Sequence, residues 1–239
     1  MKESERTRFP MIAAEILFVL FVLFYWYTTW TAVEPHYWIA LCLCIPCLVL
    51  CAVSYLNCRG RLSHALSLLL SVVLIALFVL EGLGLLVYLA LNAATAVTTD
   101  VGKYQRVMRI TDLPQHFNCD VFPQEIPDDA TDVRFLYHPA FMMGGEELAL
   151  QFETGGNEIN SYQRRFASEA VWTGYGPDAR SDTCGIFYGT LDQFDLPEDT
   201  TVYALSAAPS EHGDWNHGKR LLTAISDSEN MVLFYAEEW

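Results

Sequence analysis

The chain has 239 residues, 52% of them hydrophobic, and a formal net charge of −15. An acidic excess of that size repels nucleic acid and anionic headgroups, and it suits cationic ligands or partners better. Five acids balance five bases before residue 97, so the excess lies wholly in residues 97–239, where 24 acids face nine bases.

The N-terminal part carries no Lys or Arg between Phe9 and Cys58, and none between Leu62 and Gly102. About 20 apolar residues suffice to cross the ~30 Å hydrocarbon core. Three membrane helices are therefore predicted, over about residues 10–30, 36–55 and 64–94. Tyr25, Trp26, Tyr27 and Trp30 close the first and Tyr37 and Trp38 open the second, which marks one interface. Lys2, Arg6 and Arg8 precede the first helix, and Arg59 and Arg61 separate the second from the third. Cytoplasmic loops collect such residues, so the N-terminus is expected inside and everything after Ala96 outside. The first run ends in bulky aromatics and lacks a small-residue cleavage site, unlike a signal peptide. The third run is long for one helix, and Glu81-Gly82-Leu83-Gly84 in its middle could break it; a single tilted helix is the simpler expectation.

Residues 97–121 are expected to form a stalk and residues 122–239 an acidic extracytoplasmic α+β domain with a mainly antiparallel sheet. Asp132–His138 alternates with Val133, Phe135 and Tyr137 on one face, and Glu147–Glu153 with Leu148, Leu150 and Phe152, which predicts half-buried strands. Ile159, Tyr162 and Phe166 recur at helical spacing, predicting a helix over Asn157–Ala170. Gly174–Asp182 is expected as loop. Strands are expected over Cys184–Leu191 and Thr201–Ser206, then over Lys219–Ser226 and Met231–Glu237, joined by the four-residue loop Asp227–Asn230. Phe122-Pro-Gln-Glu-Ile-Pro127, Tyr137-His-Pro-Ala-Phe-Met-Met-Gly-Gly145 and Trp215-Asn-His-Gly218 resemble segments of uncharacterised membrane-anchored proteins of Gram-positive gut bacteria. The resemblance implies a bacterial cell-surface setting and carries no activity or functional residue.

Several residue groups could carry chemistry. Cys119 and Cys184 are an even pair in a domain expected outside, which predicts one disulfide. Cys44-Ile-Pro-Cys47 has the spacing of dithiol exchange motifs. Cys44, Cys47, Cys51, Ser54 and Cys58 also make one stripe of small side chains, a common packing surface between membrane helices, and Cys58 suits acylation near the inner surface. Glu15 and Glu81 are ionisable groups inside apolar runs and are functional candidates on that ground; a protonated Glu81 bonded to a neighbouring helix or subunit is expected. His212, Asp214 and His217 lie within one short loop and include suitable zinc ligands, but their spacing matches no familiar zinc signature. Asp128, Asp129 and Asp132 lack the Gly and terminal Glu of a calcium loop. No nucleophile elbow, P-loop or zinc-protease helix occurs, so neither catalysis nor a cofactor is indicated. Three functions are in view: a surface binding or assembly module, a thiol-redox membrane protein, and a subunit of a larger membrane complex. The expected partners are membrane lipids and another protein or a second copy met through the helices.

Overall fold

A computed structural model describes residues 9–34, 37–111, 121–140, 145–175, 194–209 and 218–238. The chain divides into two compact units, Met1–Ala93 and Ala94–Trp239.

The N-terminal unit is helical: α1 (Phe9–Thr31), α2 (Tyr37–Cys42), α3 (Cys44–Cys58) and α4 (His64–Thr95). Among the described residues, two helices are long and apolar enough to cross a membrane, Phe9–Thr31 and His64–Asn92. Three were expected, but the second apolar run is two shorter helices and not one of spanning length. The run breaks at Leu43 into pieces of 6 and 15 residues. Pro46 accounts for the break, because it offers no N–H to the carbonyl of Cys42 and its ring crowds that carbonyl. The longer piece covers ~22 Å at the helical rise, short of the ~30 Å core. By contrast α4 runs 32 residues through Glu81-Gly82-Leu83-Gly84 without interruption.

Ala13, Ala14, Leu17 and Phe21 of α1 form one apolar cluster with Leu43, with Cys47 and Leu50 of α3, and with Phe78 of α4. Small side chains on α1 admit larger ones opposite, as close helix packing requires. Hydroxyls here bond back to their own helix: Thr28 Oγ1 donates to the Tyr25 carbonyl at 3.0 Å and Ser71 Oγ to that of Ser67 at 2.8 Å. In an apolar medium such bonds remove polar groups that would otherwise lack partners.

The C-terminal unit is an α+β domain. A 3₁₀ turn at Val101–Lys103 leads into α5 (Tyr104–Ile110); then come β1 (Thr131–His138), β2 (Glu146–Glu153), α6 (Gly156–Glu169), β3 (Trp172–Tyr175), β4 (Thr201–Pro209), β5 (Gly218–Ser226) and β6 (Met231–Glu238). Among the described residues the six strands form one antiparallel sheet in the order β1-β2-β6-β5-β4-β3.

Alternation divides the sheet into two buried faces. On one, Phe234 packs between Phe152 and Phe122, at ring distances of 5.8 and 5.9 Å. Tyr162 and Phe166 of α6 meet Phe234 edge-on at 5.4 and 6.1 Å. On the other face Ala149, Leu233 and Tyr235 join Val202, Ala204, Leu222 and Ala224 beneath Phe194, with Leu196 partly buried against them. Strands β2 and β6 are thus covered on both sides, whereas the alternation of β2 predicted a strand buried on one.

Two further segments differ from expectation. The stretch expected as a stalk is packed: Tyr104 and Val107 are buried, Tyr104 meets Phe135 edge-on at 5.5 Å, and its hydroxyl donates to the Pro123 carbonyl. Thr98 and Tyr137 exchange backbone hydrogen bonds, adding a bridge beside β1. Gly174, expected in a loop, lies in β3, where a Cβ would stand 2.2 Å from the Trp172 ring. The absence of a side chain at this position lets Trp172 fold over the strand and reach the second core.

Candidate functional site

The polar cavity of the C-terminal unit begins with an irregularity in β1. Thr131 pairs with Glu153 and Arg134 with Gln151, so two residues of β1 stand opposite the single residue Phe152. This is a β-bulge, a device that bends a strand and re-aims side chains, often beside functional sites. Asp132 within it has φ +43°, in the left-handed region that Asp tolerates better than most residues. Its carboxylate reaches back to Arg134 at 2.9 Å. Beside it Thr131 Oγ1 donates to Glu153 Oε2 at 3.2 Å.

The opposite wall comes from two segments tied together by Asp199. Its carboxylate accepts from Ser226 Oγ at 2.7 Å and from the Ser228 backbone N–H at 2.9 Å. Those bonds draw the Asp199 carboxyl below its usual range, against a smaller opposing effect of burial. The Ser226 hydroxyl in turn accepts from the Glu229 backbone N–H at 3.3 Å. Asn230 ends this turn at φ +49° and passes the chain into β6. The tie brings the segment carrying Asp195, Leu196 and Pro197 towards the turn carrying Glu229.

Between these walls is a cavity of about 340 Å³, within the usual range for small-ligand sites. Gln151 and Met231 line it while being only 4% and 2% exposed. Asp132, Glu153, Asp195 and Glu229 line the outer part together with Arg134. The Gln151 side-chain oxygen is buried and has no hydrogen-bond partner among the described residues. A buried carbonyl without a partner forgoes about 1–3 kcal/mol, so native interiors rarely keep one.

Two other sets of polar residues, on opposite faces of the sheet, show the opposite condition. Glu146 accepts from the Thr111 and Tyr137 hydroxyls. Burial first, and then the neighbouring Glu146, push the Tyr137 phenol above its ordinary value. Burial likewise raises the Glu237 carboxyl, opposed by Arg220 at 3.6 Å and the Tyr235 hydroxyl at 3.1 Å. These groups hold one another and have the character of a structural network.

The residues singled out from sequence fall in several places. Within the stripe on α3, Cys47 and Ser54 are buried, Cys44 is intermediate, and Cys51 and Cys58 are exposed. The buried line instead follows Leu43, Cys47, Leu50, Ser54 and Asn57. The Cys47 thiol donates to the Leu43 carbonyl at 3.6 Å. Glu15 lines a groove between α1 and α3, and Glu81 one that includes Trp38, Cys42 and Tyr88. Both glutamates are exposed on their helices, and neither has a hydrogen bond or ion pair among the described residues.

Asp129 accepts from Thr154 Oγ1 at 3.3 Å, apart from the Asp132–Arg134 pair. No group of three His, Cys, Asp or Glu that could hold a metal ion occurs among the described residues. His212, Asp214 and His217 lie outside those residues, as do Cys119, Cys184 and the strand expected over Cys184–Leu191. The expected Cys119–Cys184 disulfide is withdrawn: the structure has no disulfide among the described residues, where five cysteines are free.

Gln151 was missed because alternation assigns it to the solvent side of β2. Its one sequence signal is an uncharged amide flanked by apolar residues, where an exposed strand face more often carries Lys, Glu or Thr. No protein family, curated protein or solved structure matches the chain, so the site stands on its own geometry.

Proposed function

We propose that the protein is a membrane-anchored binding module whose acidic domain faces the extracytoplasmic side. The observation that carries the binding role is Gln151, which lines a cavity together with four carboxylates and whose buried oxygen has no partner among the described residues. The orientation follows from the basic residues, all of which lie before α1 or between α3 and α4 in the N-terminal part. It requires α2 and α3 together to cross as one bent helix. The 22 residues from Tyr37 to Cys58 would cover ~33 Å, enough for the ~30 Å core, and prolines are tolerated in such helices. Arg59 stacks its guanidinium over Tyr55 at 5.2 Å, a suitable anchor at an interface. The cell-surface setting agrees with the resemblance to membrane-anchored Gram-positive proteins.

Labelling of intact cells tests the orientation. In a background with all native cysteines replaced, Ser161→Cys on the exposed side of α6 and His64→Cys at the start of α4 each introduce one thiol. A membrane-impermeant maleimide is expected to label the first before lysis and the second only after it. The reverse pattern would place the domain in the cytoplasm and refute the proposal.

One observation favours a second role, as a subunit of a larger membrane assembly. Glu81 sits on the exposed surface of α4 without a partner among the described residues, and a carboxyl at membrane depth costs about 2.5–3.5 kcal/mol unless it is satisfied. A neighbouring helix, from a second copy or another protein, would satisfy it. Glu81→Gln, which keeps a hydrogen-bonding group, should preserve association in mild detergent, and Glu81→Leu should weaken it.

A further inference from the structure

We propose that the cavity between β1, β2 and the β5–β6 turn binds an aliphatic amine, with its ammonium N–H groups taken by Gln151 Oε1 and the surrounding carboxylates. The proposal rests on the binding role argued above and names its ligand class.

Three features select this chemistry. The first is charge and hydrogen-bonding capacity. Asp132, Glu153, Asp195 and Glu229 line the cavity and, among the described residues, Arg134 is the single cation there, which Asp132 already pairs at 2.9 Å. Every one of these carboxylates can only accept when ionised, and so can the amide oxygen of Gln151. A ligand rich in N–H donors and positive charge complements them, whereas an anion or a pure acceptor would leave Gln151 unpaired.

The second feature is spacing. No three carboxylates among the described residues come close enough to hold one metal ion, although four surround the same space. Dispersed acceptors suit a cation whose donors are spread along a chain. The third is shape. Leu196, Pro197 and Met231 line the same cavity and offer apolar surface to methylene groups. An ammonium provides three donors on a flexible stem, and a volume of about 340 Å³ has room for a short alkyl chain.

The bulge and the Asp199 tie belong to the same device. Asp132, in its left-handed conformation, holds the Arg134 guanidinium, and Asp199 joins the segment bearing Asp195 to the turn bearing Glu229. Asp199 is therefore a positioning residue, and the ligand contacts fall to Gln151, Glu153, Asp195 and Glu229.

The test uses the full chain in nanodiscs of zwitterionic phosphatidylcholine, with empty nanodiscs as control, titrated calorimetrically with spermidine, putrescine and trilysine. Saturable 1:1 binding is expected, weakening as salt is raised because the partners are charged. Hexamethonium, a dication of similar reach without N–H donors, is expected to bind roughly tenfold or more weakly, the loss of one hydrogen bond to a charged group. Gln151→Leu should cause a similar loss while leaving the unfolding midpoint unchanged or higher, since it removes an unpartnered buried oxygen. The Asp195→Asn/Glu229→Gln double variant should weaken spermidine further and flatten the salt dependence.

Binding of trilysine but not of the free polyamines would keep the ammonium site and identify its source as a peptide. Absence of saturable binding by all three amines would overturn the proposal, as would parent-like affinity in Gln151→Leu. Saturable Ca²⁺ binding abolished by the same substitutions would overturn it in favour of a metal. The titration is indifferent to membrane orientation and the maleimide labelling is indifferent to ligand, so failure of one leaves the other standing.

Discussion

Replacing Phe234 by Ala removes the side chain on which most of one core face converges. The ring is fully buried and contacts four others: Phe122, Phe152, Tyr162 and Phe166. Truncating a buried Phe costs about 3–5 kcal/mol in transfer and cavity terms. Offset and edge-on aromatic pairs each add about 0.5–1.5 kcal/mol beyond burial. With all four pairs lost, the expected cost is at the upper end, about 4–5 kcal/mol. Domains commonly hold about 5–15 kcal/mol in total, so the variant should fold but only just.

Pulse proteolysis of the full chain across a urea series would read the C-terminal unit separately from the protected helices. With a slope of about 2 kcal/mol per molar urea, the midpoint should fall by roughly 2 M. Ser161→Ala, on the exposed side of α6, serves as control and should not shift it. A Phe234→Ala shift below roughly 0.5 M would refute the assignment of this ring to the centre of the core. It would mean that α6 is held by something other than Tyr162 and Phe166.

Three other perturbations concern single residues. Thr223 is fully buried on β5 and its hydroxyl has no partner among the described residues, so Thr223→Val should raise stability by about 1 kcal/mol; a loss in the same urea assay would show that the hydroxyl is paired. Gly174→Ala drives a Cβ into the Trp172 ring and should cost about 1–3 kcal/mol as overpacking, seen as an earlier midpoint and a changed Trp172 emission. Asp199 has its carboxyl lowered by hydrogen bonds from Ser226 and Ser228. Its stabilisation is therefore complete above the ordinary Asp value of about 4 and is lost as pH falls through the lower folded value. Asp199→Asn should cost about 1 kcal/mol at neutral pH and flatten the acid limb; an unchanged limb would show that Asp199 does not hold the turn.

Much of the architecture was legible because it rests on local pattern. Apolar length alone marked α1 and α4, since crossing hydrocarbon demands length and an absence of charge and little else. Period two marked β1 and β2, strands were also expected where β4, β5 and β6 lie, and the loop Asp227–Asn230 lies where the spacing put it. The short strand β3 was hidden because Gly174 reads as a loop residue in isolation. It is a strand residue here because Trp172 needs the space that a side chain would occupy.

The break at Leu43 was half legible. Pro46 was visible, but whether neighbouring groups would keep the helix whole depends on packing with α1. In the same way Cys44, Cys47, Cys51, Ser54 and Cys58 share a sequence periodicity, while the surface packed with α1 runs through Leu43, Cys47 and Leu50.

The sequence by itself determined that this chain enters a membrane and carries an acidic α+β domain, because hydrophobic length, strand alternation and net charge are properties of neighbouring residues. Only the tertiary structure decided that Gln151 is buried. Alternation puts it on the polar side of β2, yet it is buried and lines one cavity with the Asp195–Pro197 segment more than forty residues away, which Asp199 ties to the β5–β6 turn. The cavity has the same origin: one bulge in β1, one tie across the sheet end, and carboxylates from four separate segments. None of these segments signals a site alone, since burial and convergence depend on contacts between residues far apart in the chain.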